Sequence, residues 1–177
     1  SVSKSFNSEV YLKNIEFGQE LGSGNFGAVY KGIWNKSVEV AMKTLTNEEA
    51  MKDFMDEMKM LEKLKHPNVV QYFGIFKENE KSFIVTEFMN KGSLLDLLQK
   101  NQNKFSSNQL LDFCKQACEG MIYLQSQNII HRDLACRNLL VHQKNETEKN
   151  ENNFIVKIGD FGLSRVLENH YYTTSSE

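Results

Sequence analysis

Along residues 17–42 short apolar stretches are separated by glycines, and Val38, Val40 and Met42 alternate with Glu39 and Ala41. Alternation sends successive side chains to opposite faces of an extended chain, so this stretch predicts antiparallel strands. The period then lengthens. Thr46 to Glu49 has the spacing of a capping box, predicting a helix to about Leu64 with Phe54, Met58, Leu61 and Leu64 inward and Lys52, Asp56, Lys59 and Lys63 in water. Residues 69–76 and 82–88 predict two more strands around the polar turn 77–81. Beyond Gly92 the pattern is helical. Ser93 can cap a short leucine-rich helix, and Ser106 with Gln109 a longer one burying Leu110, Phe113, Cys114, Ala117, Met121 and Leu124. Residues 1–16 carry no period and read as a linker, and the polar stretch 142–153 reads as a surface insertion that cannot bury a core.

The chain's 177 residues suit one ordinary globular domain, and its formal charge of -2 gives no bulk attraction for nucleic acid or an anionic membrane. No apolar run approaches the roughly 20 residues of a membrane span, and the first ten residues lack a signal-peptide core, so the expected location is cytoplasmic. Three cysteines cannot all pair internally, and Cys114 and Cys118, one helical turn apart, are expected to be buried and reduced.

Residues 22–27, GSGNFG, would suit either a dinucleotide-binding turn or a phosphate-covering hairpin. A dinucleotide site needs a helix directly afterwards, whereas Ala28, Val29 and Tyr30 continue as a strand. This disfavours a dinucleotide-dependent oxidoreductase, while a purely structural hairpin stays open. Lys43 closes an apolar strand, and taken alone it could be a solvated strand end. Glu57, however, lies on the apolar side of the predicted helix between Phe54 and Leu61, and a carboxylate there needs a cation. Lys43 is the candidate, free to hold the α- and β-phosphates of ATP as well. In HRDLACRNLL, residues 131–140, Asp133 and Asn138 are spaced to put a carboxylate near an attacking hydroxyl and an amide oxygen on a metal ion, with leucines as anchors. Asp160 heads an Asp-Phe-Gly turn and would be the principal magnesium ligand. Each piece alone has a structural explanation; their order along the chain points to one machine.

On these motifs the chain, over residues 18–177, resembles the protein kinases, and Ala135 and Arg137 resemble the tyrosine-kinase form of the loop. The resemblance implies an α+β fold of two lobes: an N-terminal antiparallel sheet with one regulatory helix (17–90) and a mainly helical C-terminal lobe (91–177). The latter is expected to be incomplete, because no Ala-Pro-Glu segment precedes Glu177. It implies transfer of the γ-phosphoryl group of ATP, with Mg2+, to tyrosine hydroxyls of protein substrates. The alternative is a catalytically inert nucleotide-binding or regulatory fragment. Implied catalytic residues are Asp133, Lys43, Glu57, Arg137 and Asn138; implied metal ligands are Asn138 and Asp160. Implied nucleotide contacts are the lid residues Leu21, Gly22, Ser23, Gly24, Asn25, Phe26 and Gly27, the adenine neighbours Val29, Ala41 and Leu140, and Lys43 and Asp160 at the phosphates. Thr86 is implied as gatekeeper, Glu87, Phe88 and Met89 as the adenine-binding segment, and Asp96 as a ribose contact. The resemblance further implies a stack of Leu61, Tyr72, His131 and Phe161. Tyr172, or Tyr171, would be the phosphorylated tyrosine that pairs with Arg132 or Arg165.

Overall fold

A computed structural model describes residues 11–24, 27–45, 61–79, 81–102, 104–145, 153–159 and 165–166. The predicted helix over 46–64 lies outside them except for its last turn, where Leu61 and Leu64 are buried and Leu64 N–H donates to the Leu61 carbonyl. The chain divides into two units, residues 1–65 with 71–89 and residues 66–70 with 90–177.

The first unit is a six-stranded sheet in the order β1-β5-β6-β4-β3-β2. Its strands are β1 (Tyr11–Leu12), β2 (Ile15–Gly24), β3 (Gly27–Trp34), β4 (Val38–Leu45), β5 (Tyr72–Glu78) and β6 (Lys81–Glu87). All neighbours are antiparallel except β1, which runs parallel to β5 with Tyr11 opposite Ile75. Residues 11–12 and 15–16 are therefore strand rather than linker. Gly74 (φ +151) makes the β1 pairing feasible, since a Cβ there would sit 3.1 Å from Leu12 Cγ. Strand β5 starts at Tyr72 rather than residue 69, and the β5–β6 turn is tighter than predicted, with Glu78 paired to Lys81.

Register assigns the sheet's two faces. Val40 and Met42 are fully buried in a cluster with Ile15, Phe76, Phe83 and Val85. Gly32 leaves room for it, because a Cβ at that position would lie 2.9 Å from Met42 Cε. The opposite face carries Val29 paired with Lys43, Lys31 paired with Ala41, and Ala41 paired with Thr86, all half-buried. One face thus makes the core, and the other carries Val29, Lys31, Ala41, Lys43 and Thr86.

The second unit contains helices α1 (Leu94–Lys100) and α2 (Ser107–Ser126) and the paired strands β7 (Ile129–Ile130) with β10 (Arg165–Val166) and β8 (Leu139–Gln143) with β9 (Phe154–Ile158). Both helices start where their caps predict: Ser93 accepts from Asp96 N–H at 3.1 Å, and Ser106 and Gln109 form a reciprocal capping box. The buried stripe of α2 is rotated from the expected one. Phe113, Gly120 and Leu124 are buried, whereas Leu110, Cys114 and Cys118 are exposed. The cause is Gln116, which faces β9: its Oε1 accepts from Val156 N–H at 2.8 Å and its Nε2 donates to the Phe154 carbonyl at 3.2 Å. Polar ties to the strand, rather than the apolar count, set this helix's rotation, and all three cysteines are free thiols at the surface. Phe105, Phe113 and Phe154 pack edge to face beside this contact. The β8–β9 hairpin carries the polar insertion at its tip, closed at the base by Lys144 N–H to the Asn153 carbonyl at 3.0 Å. No helix among the described residues is long and apolar enough to cross a membrane.

Candidate active site

In the first unit the glycine stretch forms the β2–β3 hairpin, with Gly22 opposite Val29, Ser23 opposite Ala28 and Gly24 opposite Gly27. A strand, not a helix, follows Gly27, as the hairpin reading requires. Gly27 has φ +100, a conformation that favours glycine, and a Cβ at Gly22 would meet nothing within 4 Å. Asn25 and Phe26 at the tip lie outside the described residues. Thr44 fastens the tip end of the hairpin to β4: its Oγ1 accepts from Ala28 N–H at 2.8 Å and donates to the Ala28 carbonyl at 3.2 Å. Lys43, the residue before, stands half-buried between Val29 and Ile84. Its predicted partner Glu57 lies outside the described residues. Leu21 is exposed at the hairpin's edge, and Ala41 stands between Lys31 and Thr86.

The end of β6 is held by Glu87, which donates its N–H to the Gln71 carbonyl at 3.0 Å and accepts Gln71 N–H on Oε1 at 2.7 Å. Phe88 follows the strand, and Met89 is buried. Tyr72, opposite Thr86, is 6% exposed; burial first, and the Glu62 charge second, push its phenol well above the usual tyrosine range.

In the second unit the run 131–138 leaves β7 and enters β8 as a loop folded on its own polar groups. His131 is 1% exposed, and its Nδ1 accepts from Asp133 N–H at 3.3 Å. That bond leaves Nε2 to carry the proton and donate to the Gly159 carbonyl at 2.8 Å. Arg132 takes φ +67, an unusual conformation for a residue with a side chain, so the loop turns sharply before the aspartate. The carboxylate of Asp133 is gripped at both oxygens. Arg137 Nη2 donates to Oδ1 at 2.5 Å and Asn138 Nδ2 donates to Oδ2 at 2.8 Å, while the same Nδ2 reaches the Asp133 carbonyl at 2.7 Å. The Arg137 pair is too exposed to add much stability; it fixes orientation.

Asn138, 6% exposed, also joins this loop to the segment after β9: its carbonyl accepts Gly159 N–H at 2.9 Å. The backbone leading into residue 160 is therefore bound to the loop of Asp133 twice, through Asn138 and through His131. Asp160 and Phe161 themselves lie outside the described residues. With its amide nitrogen committed to Asp133, Asn138 has its side-chain Oδ1 left to offer, a hard oxygen of the kind magnesium takes. Leu140 is half-buried on β8, and its Cδ1 would lie 3.0 Å from a Cβ at Gly159, so glycine is needed there for close packing. Asp96 is exposed on the first turn of α1, where its Oδ2 accepts the Ser93 hydroxyl at 2.7 Å. The Cys136 carbonyl accepts Leu95 N–H at 3.1 Å, tying the loop to that helix. Arg165 pairs with Ile130 through the backbone. Tyr171 and Tyr172 are outside the described residues.

The sequence reading missed one organising residue. Asn68, 4% exposed, donates from Nδ2 to the Val156 carbonyl at 2.9 Å and to Gln116 Oε1 at 3.1 Å, and its own carbonyl accepts Ile158 N–H at 2.9 Å. It thereby sets the position of β9. A single amide between Pro67 and two valines was the only signal in the sequence.

The sequence profile described as protein tyrosine and serine/threonine kinase matches residues 15–177. The chain is similar to tyrosine-protein kinase Btk of Drosophila melanogaster, 40% identical over 170 residues that cover 94% of this chain and 20% of that protein. It is equally similar, at 40%, to tyrosine-protein kinase SRK2 of Spongilla lacustris, with 94% of this chain and 44% of that protein covered. Against human tyrosine-protein kinase TXK the identity is again 40%, over 94% of this chain and 30% of the relative. The chain thus spans less than half the length of these curated relatives. With a glycine hairpin leading into the Lys43 strand, and an Asp133 loop bound to the backbone before Asp160, the chain belongs to the protein tyrosine and serine/threonine kinase family.

Proposed function

We propose that the protein carrying this chain is a cytoplasmic, ATP- and magnesium-dependent protein tyrosine kinase. The observation that carries the reading is the two-handed grip of Arg137 and Asn138 on Asp133. A carboxylate held this way enters the reaction already aimed, and positioning is the larger part of phosphoryl-transfer catalysis. Asp133 orients the acceptor hydroxyl and receives its proton. Lys43, with Glu57 as its partner, holds the α- and β-phosphates, and the backbone of residues 22–27 covers them. Val29, Ala41 and Leu140 have the roles of adenine contacts, Thr86 to Met89 that of binding its edge, and Asp96 that of a ribose contact. Bound magnesium, held by Asn138 and Asp160, would neutralise phosphate charge. Tyrosine as acceptor is supported by Ala135 and Arg137 and by the names of the relatives. Phosphorylation of Tyr172 or Tyr171 would set two negative charges against Arg132 or Arg165 and order that segment.

The test uses the whole protein with peptides offering tyrosine or serine. Label should appear on tyrosine, and Asp133→Asn should lower transfer by about 100-fold to 10,000-fold with ATP affinity retained. Undiminished transfer by that variant would refute the assignment.

A further inference from the structure

We propose that Lys31 positions the adenine end of the nucleotide site, its ammonium holding the ring of Phe88. The inference rests on the reading of residues 86–89 as the adenine-binding segment and adds to it a residue that neither motif nor loop contains.

Lys31 lies on β3 directly opposite Ala41, which lies opposite Thr86 on β6. Its side chain therefore projects on the face shared by Val29 and Lys43, away from the packed core. Between β3 and β6 stands only β4, and at the crossing point that strand offers the small side chain of Ala41. A long chain from β3 can pass over it. The Lys31 Nζ does so and sits 4.5 Å from the centre of the Phe88 ring. Glu39, two residues before Ala41 and on the same face, forms an ion pair with the same ammonium and fixes where it points. Phe88 lies just past Glu87, the last residue of β6, so no ladder pairing sets its ring. The cation–π contact supplies that constraint from two strands away. Because the Lys31 side chain is 27% exposed, the contact is partly shielded from water and keeps more of its strength than a fully exposed one.

The consequence is specific to one end of the nucleotide. Freeing Phe88 should weaken recognition of the base and leave the phosphates unaffected. Calorimetric titration with magnesium ATP and, separately, with inorganic tripolyphosphate reads the two ends. Lys31→Met, which keeps the stem and loses the charge, and Phe88→Leu should each weaken ATP binding by about threefold. The double variant should be no weaker than either single one, since both remove the same contact. Lys31→Arg should bind ATP as the wild type does, and tripolyphosphate affinity should be unchanged in all four. Wild-type ATP affinity in Lys31→Met, or a parallel loss of ATP and tripolyphosphate, would overturn the proposal. If the wild type binds ATP no better than tripolyphosphate, the adenine-site reading itself fails, and this inference with it.

Discussion

Gly120→Ala offers a case in which helix propensity and packing demand opposite signs. In an open helix interior the change gains about 1 kcal/mol from propensity, and burying a methyl adds about 0.8 kcal/mol. In α2 the new Cβ would lie 2.5 Å from the Asn68 carbonyl oxygen and 2.8 Å from Ile158 Cδ1. A comfortable carbon–oxygen contact is roughly 3.3 Å, so something must move. Ile158 Cδ1 can swing aside, but the Asn68 carbonyl is backbone and is bonded to Ile158 N–H at 2.9 Å. Overpacking costs about 1–3 kcal/mol, and straining that hydrogen bond adds about 1 kcal/mol. Set against both gains, the net result is a loss of up to about 2 kcal/mol. Urea unfolding followed by circular dichroism should show a lower midpoint with the slope preserved. A raised midpoint would mean that α2 does not press on Asn68 as described, and the account of how β9 is placed would go with it.

Three further outcomes follow from the same contacts. Tyr72 has its phenol pushed upward by burial, so the folded chain holds that proton at pH values where the unfolded chain has released it. Stability is then fully present below about pH 10 and falls above it, by up to about 1.4 kcal/mol per pH unit, and Tyr72→Phe should remove that part of the alkaline loss in paired urea melts. Asn68→Ala deletes two buried ties to β9 and Gln116 and should cost about 2–3 kcal/mol by the same assay. Arg137→Ala should change stability by less than about 1 kcal/mol, because the pair is exposed, yet lower phosphotransfer in a radiolabel assay by freeing Asp133.

What the sequence could disclose was whatever is local. The hairpin after Gly27 was legible because a strand pattern follows the glycines, and the starts of α1 and α2 because Ser93, Ser106 and Gln109 act within one turn. That Asp133 and Asn138 share one loop was legible from their spacing, but the hydrogen bond between them was not. Contacts between distant segments were not. Two residues of β1 carry too little pattern to announce a parallel pairing with β5. The rotation of α2 was hidden because an apolar count puts Cys114 inward, whereas the hydrogen bonds of Gln116 put that polar side chain against β9. Nor can a sequence pattern show that Lys31 passes over Ala41 to Phe88, since lysines on strands usually end in water.

On the proposed reading, the loop of Asp133 and the chain entering residue 160 meet at one metal-bound nucleotide. Electron paramagnetic resonance of manganese, titrated into the protein with ATP present, reads that convergence directly. Asn138→Ala and Asp160→Asn should each weaken manganese binding by roughly 10-fold to 100-fold. Wild-type manganese affinity in both variants would contradict it.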